Sequence, residues 1–533
     1  MNRQISNILT LLGYNPSRVA RSIGRALGIA SPRRIVSRSY HAAQNNRLSA
    51  DFTGASGNPD ADILSALRTV RNKARELSQN DDYAKQYLRQ LVINVVGPQG
   101  FKLQADIRND DGTPDSVAST AIETAWKNWS RPRNCSVTGK HSFRAMQTLL
   151  IRHAGRDGEG MIRSVIDKNA HSGILFQVHE PEVLDETLNR RISDSVMIKM
   201  GVEMDGYRRP LAYHLRKRST FASPYTTVEI SPERERIPAR DLIHGFDQEY
   251  INQTRGISWV VQSMIRLRML SGYEEAALVN ARTSASKMGF FTKETDATGE
   301  ITGDAEDASG NTISEAEPGT FEQLPPGFDF KPFTPEYPTA QHEAFIKATL
   351  RGAASGLGVS YNLLSGDLEG VNYSSIRAGL LEERENWKFL QTWYAETFLD
   401  PIFELWLESA MAKGTLNLPF RKFEKFNRPI WIGRRWAWVD PLKDVTAKIL
   451  EVEAGFETAT QVIAEKGEDI VELYQELEQE QKLREKYNVT VKMDEVKALL
   501  SSINTDTKDE NRALQILRDF KAILNGKKNG VHT

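Results

Sequence analysis

Apolar residues recur at helical spacing from Asp60 to Gln79 and again from Asp81 to Val96. Gly97, Pro98 and Gly100 stop the second pattern, and an extended segment follows. Helical spacing returns over Asp115–Trp129 and Ser142–Ala154. The period then shortens, which predicts strands at Met161–Ile166, Ile174–His179, Val196–Met204, Leu211–Leu215 and Thr226–Ile230. Gly155, Gly158 and Gly160 lie between the last helix and the first strand. No helix-opening Gly-x-Gly-x-x-Gly pattern follows a strand here, so these glycines favour a hairpin turn over a nucleotide loop. Together the patterns predict a mixed α+β domain that closes near Phe246.

A second region begins at Gly256. Ser258–Leu270 reads as a helix with Trp259, Val260, Met264, Ile265 and Leu267 on one side. After Ser271-Gly272 a second helix is predicted to about Gly289. Its small residues Ala276, Ala277, Ala281 and Ala285 allow a neighbouring helix close, whether from a copy of the chain or in ordinary packing. Residues 290–338 break the pattern. They are rich in Gly, Thr, Ser and Pro and strongly acidic (Glu294, Asp296, Glu300, Asp304, Glu306, Asp307, Glu315, Glu317), with Lys293 almost the only base. A solvated loop is one reading. The other follows from symmetry: Thr320–Phe333 alternates like a strand and leads into a helix at Thr339–Ala354. Helix, insertion and return helix would make a small subdomain on a two-helix stalk.

The stretch from Gly356 to Arg377 comes next. Two glycines, Gly356 and Gly358, stop the return helix, and a Gly-punctuated loop follows. Asn372, Ser374 or Ser375 would cap a new helix of about forty residues, ending near Ala412. Pro401 lies inside it, removes one backbone hydrogen bond and predicts a kink. A mobile loop between two long helices makes sense if it touches something that moves past it. Beyond Leu416 lie a Trp-rich segment (Trp431, Trp436, Trp438) and a charged helical pattern from Pro441 to about Gly526.

Composition narrows the classes. A chain of 533 residues suits roughly two to four domains. A net charge of −1 excludes a uniformly basic nucleic-acid binder. The single Cys135 excludes an internal disulfide and a Cys-based zinc cluster, and points to a reducing compartment. No run approaches the roughly eighteen apolar residues of a membrane span. Charge is uneven, however: Met1–Ala50 carries arginines and no acid, the first being Asp51. Such a start resembles a transit peptide, and equally a disordered arm or one that binds nucleic acid or a partner.

Catalytic patterns are missing. Gly139-Lys140 is followed by His141 and lacks the upstream glycine of a phosphate-binding loop. His179, Glu180 and Glu182 surround Pro181, which favours a turn over a metal site. Asp304, Glu306 and Asp307 lack the loop pattern of a calcium hand. His244 stands alone and reads as structural. Nothing assembles a nucleophile, a base and an orienting group, so an enzyme is not expected, and no cofactor or metal is implied.

Several segments, in order, resemble the lambda-type portal proteins of tailed bacteriophages. They are Arg75-Glu-Leu-Ser-Gln-Asn-Asp-Asp-Tyr-Ala, Val92-Ile-Asn-Val-Val-Gly, Gly201-Val-Glu-Met-Asp with Arg209-Pro-Leu-Ala-Tyr, and Ile237-Pro-Ala-Arg-Asp with His244. Gln253-Thr-Arg-Gly-Ile-Ser, Gly356-Leu-Gly-Val-Ser-Tyr, Val371-Asn-Tyr-Ser-Ser-Ile-Arg, Trp438-Val-Asp-Pro and Gly467-Glu-Asp complete the set. The likeness runs from about Arg75 to Asp469, leaving both ends of the chain outside it.

The resemblance implies an α+β, predominantly helical subunit with a wing, a two-helix stem, a clip and a helical crown. It implies a ring, typically of twelve subunits, at one capsid vertex, assembled in the host cytoplasm, with no membrane partner. Double-stranded DNA would pass through the channel. The terminase large subunit and head–tail connector or adaptor proteins would dock on it, and major capsid or scaffold protein would surround it. On this plan residues 1–50 are a basic arm, 51–255 the wing, 256–289 the first stem helices and 290–338 the acidic clip. Residues 339–357 are the second stem helix and 358–372 the tunnel loop. Residues 373–440 are the long kinked helix with its return through the wing, and 441–533 the crown and tail. Clip contacts would come from Glu294, Asp296, Glu300, Asp304, Glu306 and Asp307.

The tunnel loop would present Ser365, Gly366, Asp367, Leu368, Glu369, Gly370, Val371 and Asn372. Its acids and apolar residues suit a surface that DNA slides past, because each neutralised phosphate adds affinity. Arg282, Lys287, Lys347 and Arg351 are the candidate channel-facing bases. The competing class is a DNA-packaging enzyme, a terminase-like ATPase or nuclease, which would need the phosphate loop and clustered acids that are missing.

Overall fold

The computed structural model describes residues 58–218, 230–286, 289–293, 305–306, 312–313, 328–332, 341–369, 373–436, 441–465 and 470–487. Helices α1 (Pro59–Asn80) and α2 (Asp82–Val95) begin the described chain. Asp81 caps α2 by accepting from the Ala84 N–H at 2.7 Å, which satisfies a donor the helix leaves free. Strand β1 (Lys102–Ala105) follows. Next come α3 (Ser116–Trp129), capped by Asp115, and α4 (Phe143–Asp157), capped by Ser142. The expected hairpin turn at Gly155–Gly160 is instead the end of α4. Gly158, at φ 90°, is its left-handed C-cap, and β2 (Gly160–Ile166) starts two residues later.

Antiparallel β3 (Ile174–His179) pairs with β2. A five-stranded antiparallel sheet comprises β4 (Arg190–Arg191), β5 (Val196–Lys199), β6 (Val202–Asp205), β7 (Pro210–Arg218) and β8 (Ile230–Pro238) in sequence order. The single strand expected over Val196–Met204 is a hairpin, because Met200 (φ 45°) and Gly201 (φ 82°) turn the chain back. Strand β9 (Leu242–Gly245), which the sequence pattern did not reveal, lies on the other edge of β2.

Helix α5 (Met264–Ser286) is unbroken. The expected helix at Ser258–Leu270 starts late, after turns at Ser258–Ser263, and Ser271-Gly272 does not interrupt it. A helix-interior glycine costs only about 1 kcal/mol, and burial of Leu267, Leu270 and Ala277 on either side outweighs it. Then β10 (Gly289–Lys293), β11 (Ala305–Glu306), β12 (Thr312–Ile313) and β13 (Phe328–Pro332) form two antiparallel pairs, β10 with β13 and β11 with β12. The strand expected at Thr320–Phe333 is thus described only as β13.

Helix α6 (His342–Leu357) returns against α5. Gly356 lies inside α6, and Gly358, left-handed at φ 67°, ends it alone. A Cβ at Gly356 would lie 2.6 Å from Ser263 Oγ, so that glycine serves close approach rather than termination. The stretch expected to be loop contains a short helix, α7 (Tyr361–Ser365), capped by Ser360. Helix α8 (Tyr373–Tyr394) places Ser374 and Ser375 inside its first turn rather than at the cap, and Asn372 falls outside the described residues.

A π-helical turn, Ala395–Leu399, joins α8 to α9 (Asp400–Ala412). This is how the chain absorbs Pro401, which has no N–H for the carbonyl four residues back: the ladder widens just before it. Strand β14 (Pro429–Ile432) pairs with β1, Lys102 opposite Ile432. Helices α10 (Pro441–Ala454), α11 (Ala459–Glu465) and α12 (Ile470–Tyr487) complete the described chain.

The main core joins α2, α3, α4 and α9. Trp126 meets Trp129, Phe143, Phe403, Trp406 and Trp431 with ring centroids 4.7–5.6 Å apart. Tyr394, fully buried, donates to the Gln147 carbonyl at 3.2 Å and stacks on Phe101. Cys135 is buried in this layer, and burial pushes its thiol up to about 12.

Candidate functional site: the α5–α6 pair and the segment after it

Antiparallel α6 packs against the first half of α5. Ser263 Oγ donates to the Ala353 carbonyl at 2.8 Å, and the Tyr273 hydroxyl lies 3.1 Å from His342 Nδ1. A Cβ at Gly352 would lie 2.3 Å from Arg266 Nη1, so glycine there admits the guanidinium. The opposite side of α5 is unusual. Ile265, Met269 and Val279 are 58–73 % exposed, so α5 carries apolar residues on both faces.

Past Gly358 the chain makes a compact turn. Ser360 Oγ accepts from the Leu363 N–H and donates to Glu383 Oε2 at 2.7 Å, while Asn386 donates to the Gly358 carbonyl at 2.9 Å. Leu364 is buried and anchors α7. Asp367 Oδ2 accepts from the Tyr361 hydroxyl at 2.8 Å, and Asp367 Oδ1 accepts from the Glu369 N–H at 2.8 Å. The guanidinium of Arg351 lies 5.4 Å from the Tyr361 ring centroid.

Lys347 connects this turn to α6. Its Nζ is 2.5 Å from Glu343, 3.4 Å from Glu369 and 3.6 Å from Asp367. Three carboxylates around one ammonium push the lysine above its ordinary value, Glu343 contributing most. Asp367 is held below the usual carboxylate range, first by the Glu369 backbone N–H and then by Tyr361.

Two of the four candidate bases, Lys347 and Arg351, therefore meet the candidate loop. Arg282 stands exposed on α5, and Lys287 lies outside the described residues. Of the loop, Ser365 ends α7, Gly366 is its left-handed cap and Leu368 is exposed, while Gly370, Val371 and Asn372 fall outside the description. Of the acidic insertion, only Glu306 falls in a described element, β11; Glu294, Asp296, Glu300, Asp304 and Asp307 do not. Sequence reading missed Glu343, Tyr361, Glu383 and Asn386. Only the i, i+4 spacing of Glu343 and Lys347 signalled a contact.

A family model described as phage portal protein, lambda family, matches residues 45–391. The chain belongs to that family. This portal chain is 35 % identical over 453 residues to the "Probable portal protein" of Halomonas phage phiHAP-1, covering 84 % of this chain and 86 % of that one. It is 23 % identical over 458 residues to "Portal protein B" of Escherichia phage lambda, covering 78 % and 84 % of the two chains. Among solved structures it is similar to the neck of an empty gene transfer agent particle computed with C6 symmetry. That likeness has a TM-score of 0.40 and 15 % identity, over 79 % of this chain and 98 % of that one.

In the portal chain the segment Gln253–Ser258 links β9 to α5. Thr254 donates to Asp60 through its backbone N–H at 2.8 Å and its hydroxyl at 2.9 Å. Arg255, wholly buried, donates to Glu159 from Nε at 2.7 Å and Nη2 at 2.8 Å. Its remaining donors reach the carbonyls of Met200 at 2.9 Å and Pro181 at 3.2 Å. Glu159 also accepts from the Gly256 N–H at 2.8 Å, with His244 Nε2 3.4 Å away. Although burial opposes its charge, Arg255 and His244 hold this carboxyl well below the usual range. A Cβ at Gly256 would lie 2.1 Å from the Gly158 oxygen, so two glycines cross in contact. His244 is structural, as its isolation suggested. Glu182 reaches Arg75 after a 3-10 turn at Pro181–Val183.

Proposed function

We propose that this portal chain forms a closed ring, of twelve copies, at one vertex of a phage capsid, with the α5–α6 stem around a channel for double-stranded DNA. The carrying observation is α5. A helix apolar on both sides needs cover on both. Leu267, Leu270 and Ala277 are covered within the chain, whereas Ile265, Met269 and Val279 are not. Neighbouring copies in a ring would supply that cover. The segment 365–369 at the base of the stem lies on the channel side in this reading and narrows it.

The insertion between β10 and β13 is the clip, where the terminase large subunit docks during packaging and head–tail connector proteins dock afterwards. Major capsid or scaffold protein surrounds the wing, and the assembled ring resides in the virion. The role is structural, with no chemistry of its own.

Negative-stain imaging of the concentrated full-length protein tests the assembly. The expected particle is a ring with a central hole. A compact monomer that persists at every concentration and on addition of scaffold protein would overturn the proposal. An ATPase assay on the same sample separates it from a packaging enzyme, with no turnover expected above buffer.

A further inference from the structure

We propose that Lys347 is a positioning residue, which holds the 366–369 segment against the stem, and not a DNA contact. The inference rests on the channel reading only for where this segment lies. Its ammonium is already surrounded by Glu343, Glu369 and Asp367, all within 3.6 Å. One positive charge among three negative ones leaves the spot net acidic. A DNA phosphate would therefore be repelled unless the carboxylates first withdrew.

The contacts also divide the work. Helix α7 is fixed by its own cap and by the buried Leu364. The turn beyond it is shaped by short-range bonds: Tyr361 to Asp367, Ser365 to Asp367 and Asp367 to Glu369. These bonds fold the turn but do not tie it to the stem. Lys347, from the middle of α6, does so through Asp367 and Glu369. Both contacts are solvent-accessible, so each is weak and screened by salt. That makes the attachment a releasable latch, with the two acids as its catch and Leu368 displayed between them.

A nitroxide on Leu368→Cys in the full-length chain reads the latch directly. Cys135 is buried and its thiol is raised, so the label goes to position 368. Lys347→Met should give a severalfold rise in the mobile fraction of the spectrum, Lys347→Arg should keep most of the wild-type signal, and the swap Lys347→Glu with Glu369→Lys should restore part of it. In the parent chain mobility should rise with ionic strength, and in Lys347→Met it should not. A spectrum unchanged in Lys347→Met, or equal salt dependence in both, overturns the proposal. Because the label reports on the chain without DNA, loss of the latch and loss of the ring are separate results. A ring that forms normally around an unlatched segment would sink only the inference made here.

Discussion

Glu159→Gln tests whether the link between β9 and α5 is held by charge. The side chain is fully buried and accepts two hydrogen bonds from Arg255, at 2.7 and 2.8 Å, and one from the Gly256 N–H. Glutamine keeps the shape and can still accept from Gly256. It removes the negative charge, however, and turns an amide NH2 toward a guanidinium. Arg255 is then a buried cation with no counter-charge, and Arg71 lies close by, its Nη2 3.9 Å from Glu159 in the parent. Removing one partner of a buried pair costs about 3–5 kcal/mol, most of it the penalty on the charge left behind.

The assay is urea denaturation followed by tryptophan fluorescence, and the variant midpoint should fall by that equivalent. The exposed pair Lys482–Glu478 is the control, and Glu478→Gln should leave the midpoint in place. The pH dependence has a definite sign. Glu159 is depressed far below its ordinary value of 4.5 in the folded state, so its contribution is fully present above 4.5 and shrinks progressively as pH falls from there toward that much lower folded value. Parent and variant should therefore converge in acid. A loss below about 1 kcal/mol at neutral pH, or a gap that persists in acid, would refute the reasoning.

Two other outcomes follow from nearby residues. Gly256→Ala places a methyl group 2.1 Å from the Gly158 oxygen, so the crossing must open. We expect a loss of about 1–3 kcal/mol in the same urea assay, whereas Gly272→Ala, which meets nothing, should be neutral or stabilising. His153 is buried, its Nδ1 has no partner, and burial lowers it from 6.5 to about 4. The unfolded chain then binds the proton first, so stability should drop as pH falls from about 6.5 to about 4, by up to roughly 3 kcal/mol. His153→Gln should flatten that part of the stability–pH curve, and an unchanged curve would remove His153 as its source.

Some of this architecture was legible because its signals are local. Asp81, Asp115 and Ser142 each stand directly before a periodic run, and each caps the helix expected there. Ser271-Gly272 misled because local propensity is weak beside the burial of Leu267 and Leu270. Gly358 ends a helix where Gly356, two residues earlier, does not; which glycine turns left-handed depends on what packs against the other. The segment Gln253–Ser258 stood out in sequence only through family likeness. Its partners Asp60 and Glu159 are 194 and 96 residues away, so no spacing rule could supply its role. The same limit applied to Lys347. Its tie to Glu343 follows from helical spacing, but its ties to Asp367 and Glu369 depend on how the chain leaves Gly358.

The pairing of β1 with β14 also sets an order of events during synthesis. Lys102–Ala105 leaves the ribosome about 300 residues before its partner Pro429–Ile432. At roughly 5–20 residues per second that interval is tens of seconds. For most of it Trp126 lacks Phe403 and Trp406, and for all of it Trp431, the rings that later enclose it. Helices α5 and α6 and the insertion between them are made inside this interval, as an excursion from a core still open on one side. A nascent chain stalled anywhere between α5 and α9 therefore leaves the aromatic surface around Trp126 uncovered.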